Sequence, residues 1–150
     1  MEYQIIEKNT FEEARKEIGK RKDHIIIFTS KDDELNQKIL EKEKINILLL
    51  SQKEKKDKLK QRNSGFNQVM AKLAKKNNIF IGINLDEIIK AEKQEKSEIL
   101  SRIKQNIKIC NKNQLKMKFI AQNEENERNI YDLRSLGLVL GMPTKMAENL

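Results

Sequence analysis

Five short apolar runs recur along this chain of 150 residues, and helical spacing fills most of the intervals between them. They span Tyr3 to Ile6, Ile25 to Phe28, Ile45 to Leu50, Ile79 to Leu85 and Met117 to Ala121. The second run is continuously apolar and the third nearly so, rather than alternating. That is the pattern of strands covered on both faces, as in parallel sheets. Strands alternating with helices predict an α/β fold with a parallel sheet and helices outside it. Five strands fit either an open sheet or an arc of a (β/α) barrel, and periodicity does not choose between them.

The helical stretches carry their own signals. Thr10 opens the first, with Glu13 at capping-box spacing and Phe11, Ala14 and Ile18 as the apolar stripe. Asp32 to Lys42 reads as the second, with Leu35, Ile39 and Leu40 inward. A third is expected to start at Asn63-Ser64-Gly65 and to bury Phe66, Val69, Met70 and Leu73. The longest runs from Glu95 to about Cys110, with Ile99, Leu100, Ile103 and Ile107 facing in. A last helix carries Leu133, Leu136, Leu138 and Leu140 before Gly141 and Pro143 stop it. No fixed-period repeat and no Pro/Gly linker divides the chain, so residues 1–150 read as a single domain.

Composition excludes several classes. Apolar residues make up 37% and charged residues 36%, so the core is modest and the surface heavily charged. No apolar run approaches the roughly 20 residues that span a bilayer. The first residues lack the basic end and apolar stretch of a signal peptide, and the expected location is cytoplasmic. Cys110 is the only cysteine, which rules out an internal disulfide and a thiolate zinc cluster. His24 is the only histidine and has no Cys near it, so it reads as structural or solvent-facing. A single imidazole cannot build a histidine-rich metallophosphoesterase site. Asp32, Asp33 and Glu34 follow a strand, where α/β proteins place sites. They equally read as helix N-terminal acids favoured by the macrodipole.

The distribution of charge says more than the net value of +8. Residues 51–118 hold 18 basic and 7 acidic side chains, whereas the flanking segments are nearly balanced. Such asymmetry points to a polyanionic partner. Arg62 precedes Asn63-Ser64-Gly65, and Lys72, Lys75 and Lys76 share a face of the helix that follows. That helix start could offer backbone N–H groups to a phosphate, or Ser64-Gly65 could simply cap it. Lys104, Lys108 and Lys112 repeat at i, i+4, i+8 opposite the isoleucine stripe, Arg102 lies on the same element, and no acid occurs between Ile99 and Ala121. An unbalanced cationic stripe is costly unless something anionic meets it, although a solvated face accounts for it equally well. Aromatic residues are too few for a base-stacking platform, so shape and phosphate contacts fit better than single-strand readout.

Three stretches resemble the archaeal protein component 3 family of ribonuclease P. Asn63 to Ile89, NSGFNQVMAKLAKKNNIFIGINLDEII, is similar to the family's Ser-Gly-x-Asn-x-Val helix, its Ala-Lys-Leu-Ala end and the following strand. Ile25 to Leu50 resembles a strand, a helix and a second strand of the family. Arg128 to Met142, RNIYDLRSLGLVLGM, resembles its C-terminal helix ending in Leu-Gly-x-x-x-Gly-Met. Between them, SRIKQNIKICNKNQLKMKFIA is similar to the family's long helix and next strand.

The resemblance implies a TIM-barrel-like fold related to the polymerase and histidinol phosphatase domains but without their metal site. It implies a non-catalytic, RNA-binding subunit that pairs with ribonuclease P protein component 2 and binds ribonuclease P RNA. That RNA, with Mg²⁺, removes the 5′ leader of precursor tRNA, so this chain meets the substrate indirectly and needs no cofactor of its own. The expected RNA-binding residues are Arg62, Asn63, Ser64, Gly65, Asn67, Lys72, Arg102, Lys104, Lys108 and Arg128. The family begins with further strands and helices that have no counterpart before Glu2, and it continues past the Gly-Met helix. Gln68 replaces an expected histidine and Ile130 an expected proline. The expectation is therefore an incomplete or shortened TIM-barrel-like fold lacking the family's N-terminal strands, with open edges shielded by a partner protein, a second copy or RNA. Two other readings remain: a protein-interaction module without RNA contact, and a metal-dependent phosphoesterase-like barrel.

Overall fold

A computed structural model describes residues 3–150. Its five strands are all parallel and lie in the order of the chain: β1 (Tyr3–Glu7), β2 (Ile25–Thr29), β3 (Ile47–Leu50), β4 (Phe80–Asn84) and β5 (Met117–Ile120). A doubly wound sheet reverses its strand order at a switch point. Here there is none, and the order settles what periodicity left open: the fold is TIM-barrel-like. The sheet is not closed. Among the described residues β1 pairs only with β2, and β5 only with β4.

Seven helices connect or follow the strands: α1 (Phe11–Lys20), α2 (Asp33–Lys42), α3 (Gln68–Lys76), α4 (Leu85–Lys90), α5 (Lys93–Lys112), α6 (Ile130–Val139) and α7 (Thr144–Glu148). A 3₁₀ turn spans Glu124–Asn126. Their inward residues join Ile6, Ile26, Phe28, Leu48, Leu50, Ile81, Ile83 and Met117 in one large apolar cluster, so the helices cover a single face of the sheet. The other, concave face holds a small cluster of Ile27, Ile47 and Leu49, flanked by Phe80 and Ile120. The parallel register lines up Ile5, Ile27, Ile47 and Phe80 as one layer and Glu7, Thr29, Leu49, Gly82 and Lys118 as the next. Continuous apolar strands are thus explained: alternate side chains enter two separate clusters. A slot of about 240 Å³ opens on the concave side between Tyr3 and Ile5 of β1 and Phe119 and Ile120 of β5.

Local signals account for the helix starts. Thr10 caps α1 by accepting the Glu13 N–H, and Asp32 caps α2 by accepting those of Glu34 and Leu35. Three sequence expectations are corrected. The third helix starts at Gln68, not at Asn63-Ser64-Gly65, because Gly65 sits at φ +72° and Asn67 supplies the cap to the Met70 N–H. That start turns Met70, Ala71 and Ala74 inward and leaves Val69 exposed. Helix α4 had no readable signature, since the apolar run through Leu85 enters a helix too short for periodicity to show. Leu138, expected inside, is exposed on α6.

Cys110 lies on the buried face of α5 and is fully enclosed, and burial pushes its thiol far above the ordinary range. The thiolate is the nucleophile. Native protein is therefore expected to leave a thiol reagent unreacted at neutral pH, while denatured protein releases one equivalent. A colorimetric thiol titration with and without denaturant checks this. No helix among the described residues is long and apolar enough to cross a membrane.

Candidate nucleic-acid interface

The segment that leaves β3 and the outward face of α5 carry the site. Helix α4 fixes the point where the chain leaves β3: the Glu87 carboxylate accepts the Gln52 N–H at 2.8 Å and the Ser51 hydroxyl. From there a basic connector, Lys53 to Arg62, crosses to α3. Its outer part folds into a tight antiparallel turn, with Lys58 and Gln61 exchanging backbone hydrogen bonds of 2.9 and 3.2 Å. Leu59 stands fully exposed at the tip between Lys58 and Lys60.

Helix α5 holds the connector from beneath. The Gln105 amide donates to the Arg62 carbonyl and to the Ser64 hydroxyl oxygen, both at 3.3 Å. Gln52 donates to the Ser64 carbonyl at 2.8 Å, and Asn106 reaches the same oxygen at 3.5 Å. Asp57 accepts the Asn63 N–H at 2.8 Å and the Arg102 Nε–H at 3.0 Å. The Arg102 hydrogen bond, seconded by that of Asn63, holds the Asp57 carboxyl below the usual carboxylate range. A carboxyl whose pKa is lowered on folding contributes stability that is complete above its unfolded value. The contribution is lost only as pH falls through the lowered folded value, so the tie persists throughout the neutral range.

This arrangement sorts the sequence-predicted residues. Arg62, Lys104 and Lys108 are exposed and line one cleft of about 510 Å³, whose other wall is Val139, Leu140 and Gly141. None of the three pairs with a carboxylate among the described residues. A second cleft of about 400 Å³ is lined by Lys58, Asn63, Ser64, Gly65 and Asn67 together with the acids Asp33 and Glu34 of α2, and it shares Arg62 and Gln105 with the first. The two form one groove. Lys72 is exposed on α3 and lines neither cleft. Arg128 lies elsewhere, at the slot on the concave face, donating to the Glu125 and Glu127 carbonyls.

Two assignments change with the burial. Arg102 was expected beside the lysine stripe, but it is 3% exposed, points into the protein and cannot meet a phosphate from this position. Its spacing puts it on the inward half of α5, one residue before Ile103, whereas Lys104 and Lys108 fall on the outward half. Ser64 and Gly65 are buried as well, so they shape the groove's floor rather than cap a helix toward solvent. Gln105, Gln52, Asp57 and Asn106 were not anticipated. A signal for them existed: Arg102 and Asn106 form an i, i+4 polar pair alongside the isoleucine stripe, where a charge needs a buried partner. No group of three or more His, Cys, Asp or Glu side chains among the described residues is placed to hold a metal ion.

Comparison with known proteins bears on the fold and the family. The chain of a cryo-EM structure of archaeal ribonuclease P with mature tRNA superposes with a TM-score of 0.80 at 22% identity, over 98% of this chain and 62% of that one. The present chain thus spans about 62% of that chain's length. No curated protein matches it in sequence. The family described as RNase P subunit p30 matches residues 5–150, and the chain belongs to that family.

Proposed function

We propose that the chain is a non-catalytic, RNA-binding protein subunit of ribonuclease P. The observation that carries this reading is the cleft between the connector and the outward face of α5, which gathers Arg62, Lys104 and Lys108 from two distant segments with no acid in its lining. Unpaired cations converging on one cleft repel each other, and an anionic ligand of fixed shape relieves that repulsion. Family membership makes folded RNA the ligand of choice. The structural neighbour was seen in ribonuclease P with tRNA, which supports the same assembly for this chain.

In this reading the three cations neutralise phosphates of ribonuclease P RNA. Asn63 and Asn67 offer polar side chains along the adjoining cleft. Lys72 adds to the field from α3, and Arg128 serves a separate contact. Phosphate contacts fix register and orientation rather than sequence, which suits a protein that supports an RNA catalyst. Leader removal from precursor tRNA is assigned to the RNA subunit with its Mg²⁺, with protein component 2 as the protein partner and no cofactor on this chain. Reconstitution tests the assignment. Ribonuclease P RNA and component 2, at limiting Mg²⁺, are expected to cleave the 5′ leader faster when this chain is added, by roughly tenfold or more, equivalent to about 1.4 kcal/mol of the barrier. An unchanged rate, or leader cleavage by the chain without the RNA, would overturn it.

A further inference from the structure

Arg102 is the only charged side chain in the buried set among the described residues, and its neighbours say what it does. Its Nε donates to Asp57 at 3.0 Å, an Nη donates to the Gln52 carbonyl at 3.1 Å, and Glu98 lies 4.0 Å away. Gln52 immediately precedes the connector, and Asp57 sits within it. The same Asp57 oxygen accepts the Asn63 N–H at the connector's far end. One guanidinium therefore gathers three points of a segment that has no helix or strand of its own. Between Lys53 and Arg62 that segment carries six basic and two acidic side chains. A chain so charged extends by self-repulsion unless something ties it down.

We propose that Arg102 is a positioning residue for the RNA groove: buried beneath the connector, it holds Arg62 against the cleft that Lys104 and Lys108 line. The role rests on the RNA-binding reading given above. A loop ordered before contact spares the ligand the cost of ordering it. Losing Arg102 thus weakens binding without removing any phosphate contact, which separates it from its exposed neighbours on the same helix.

The test compares Arg102→Met and Asp57→Asn with Arg62→Gln and Lys104→Gln in the full chain. Ribonuclease P RNA affinity is measured across a salt series, and amide hydrogen exchange is followed alongside. Arg102→Met and Asp57→Asn are expected to speed exchange in residues 53–66 while the strands keep their protection. They are also expected to lower affinity about tenfold with the parent salt slope retained. Arg62→Gln and Lys104→Gln are each expected to reduce that slope by about one unit. A slope lowered by Arg102→Met would mean direct phosphate contact and overturn the positioning role, as would parent-like affinity and connector exchange in both clamp variants. If Arg62→Gln and Lys104→Gln leave affinity and salt dependence unchanged, the RNA reading itself fails and the role goes with it. Asp57→Asn covers the case in which Arg102→Met does not fold, because its carboxylate is about one-third exposed and Arg102 keeps the Gln52 carbonyl and Glu98 as partners.

Discussion

Replacing Arg62, Lys104 and Lys108 together by glutamine is expected to weaken binding to ribonuclease P RNA by on the order of a hundredfold at about 0.1 M salt. The three side chains line one cleft and carry no ion pair among the described residues, so their removal takes charge from a single patch and breaks no salt bridge there. Removing one phosphate-neutralising cation reduces the dependence of log affinity on log salt by about 0.7–0.9. The triple variant should therefore show a slope smaller by about two to three units, and weakening should be uniform across RNA sequences of the same shape. Stability is expected to stay within about 0.5 kcal/mol of the parent, as for other exposed substitutions. A filter-binding or fluorescence titration across a salt series reads both quantities. An unchanged slope would remove the groove as the phosphate surface, whatever the change in affinity at one salt concentration.

The sequence made the strands legible because their burial is two-sided. Ile26, Phe28 and Leu48 enter the cluster under the helices while Ile27, Ile47 and Leu49 enter the concave one, and a continuous apolar run is what that demands. Thr10 and Asp32 were legible as caps for the same local reason: each accepts backbone N–H groups within three residues. The start of α3 was not, because Asn63-Ser64 and Asn67 are both adequate caps. The choice between them goes with the left-handed backbone of Gly65, which lies close against Asp33 of α2 and Lys55 of the connector. Barrel-like strand order was beyond periodicity, since hydrophobic pattern reports which faces are covered and not which strands are neighbours.

The site divides along the same line. Lys104 and Lys108 were readable as exposed because they lie opposite Ile99 and Ile103 on a helix whose stripe is plain. Their convergence with Arg62, which is remote in the chain, depends on Gln105 meeting the Arg62 carbonyl, a long-range contact that no local pattern encodes. Arg102 was misplaced because charge was taken as a sign of exposure. A position beside the apolar stripe overrides that sign when a carboxylate from another segment, here Asp57, supplies the partner.

Gly65→Ala is expected to cost about 2–3 kcal/mol, the second large effect, and to do so without removing a cation from the groove. At φ +72° an L side chain is strained by about 1–2 kcal/mol. The added Cβ would also stand 2.8 Å from Lys55 Cε and 2.9 Å from Asp33 Oδ1. Those two atoms belong to an ion pair of 2.8 Å whose lysine is 13% exposed, so making room for the methyl group means opening the pair that joins the connector to α2. Gly19 supplies the contrast. It lies inside α1, and a Cβ there meets nothing within 4 Å, so Gly19→Ala is expected to stabilise by about 0.5–1 kcal/mol through backbone entropy alone. Urea unfolding of the two variants should move the midpoint in opposite directions with the m-value unchanged. If Gly65→Ala instead matched the parent, the left-handed turn would carry no strain. The close packing of the connector against Asp33 could then not be what selects Asn67 as the cap of α3.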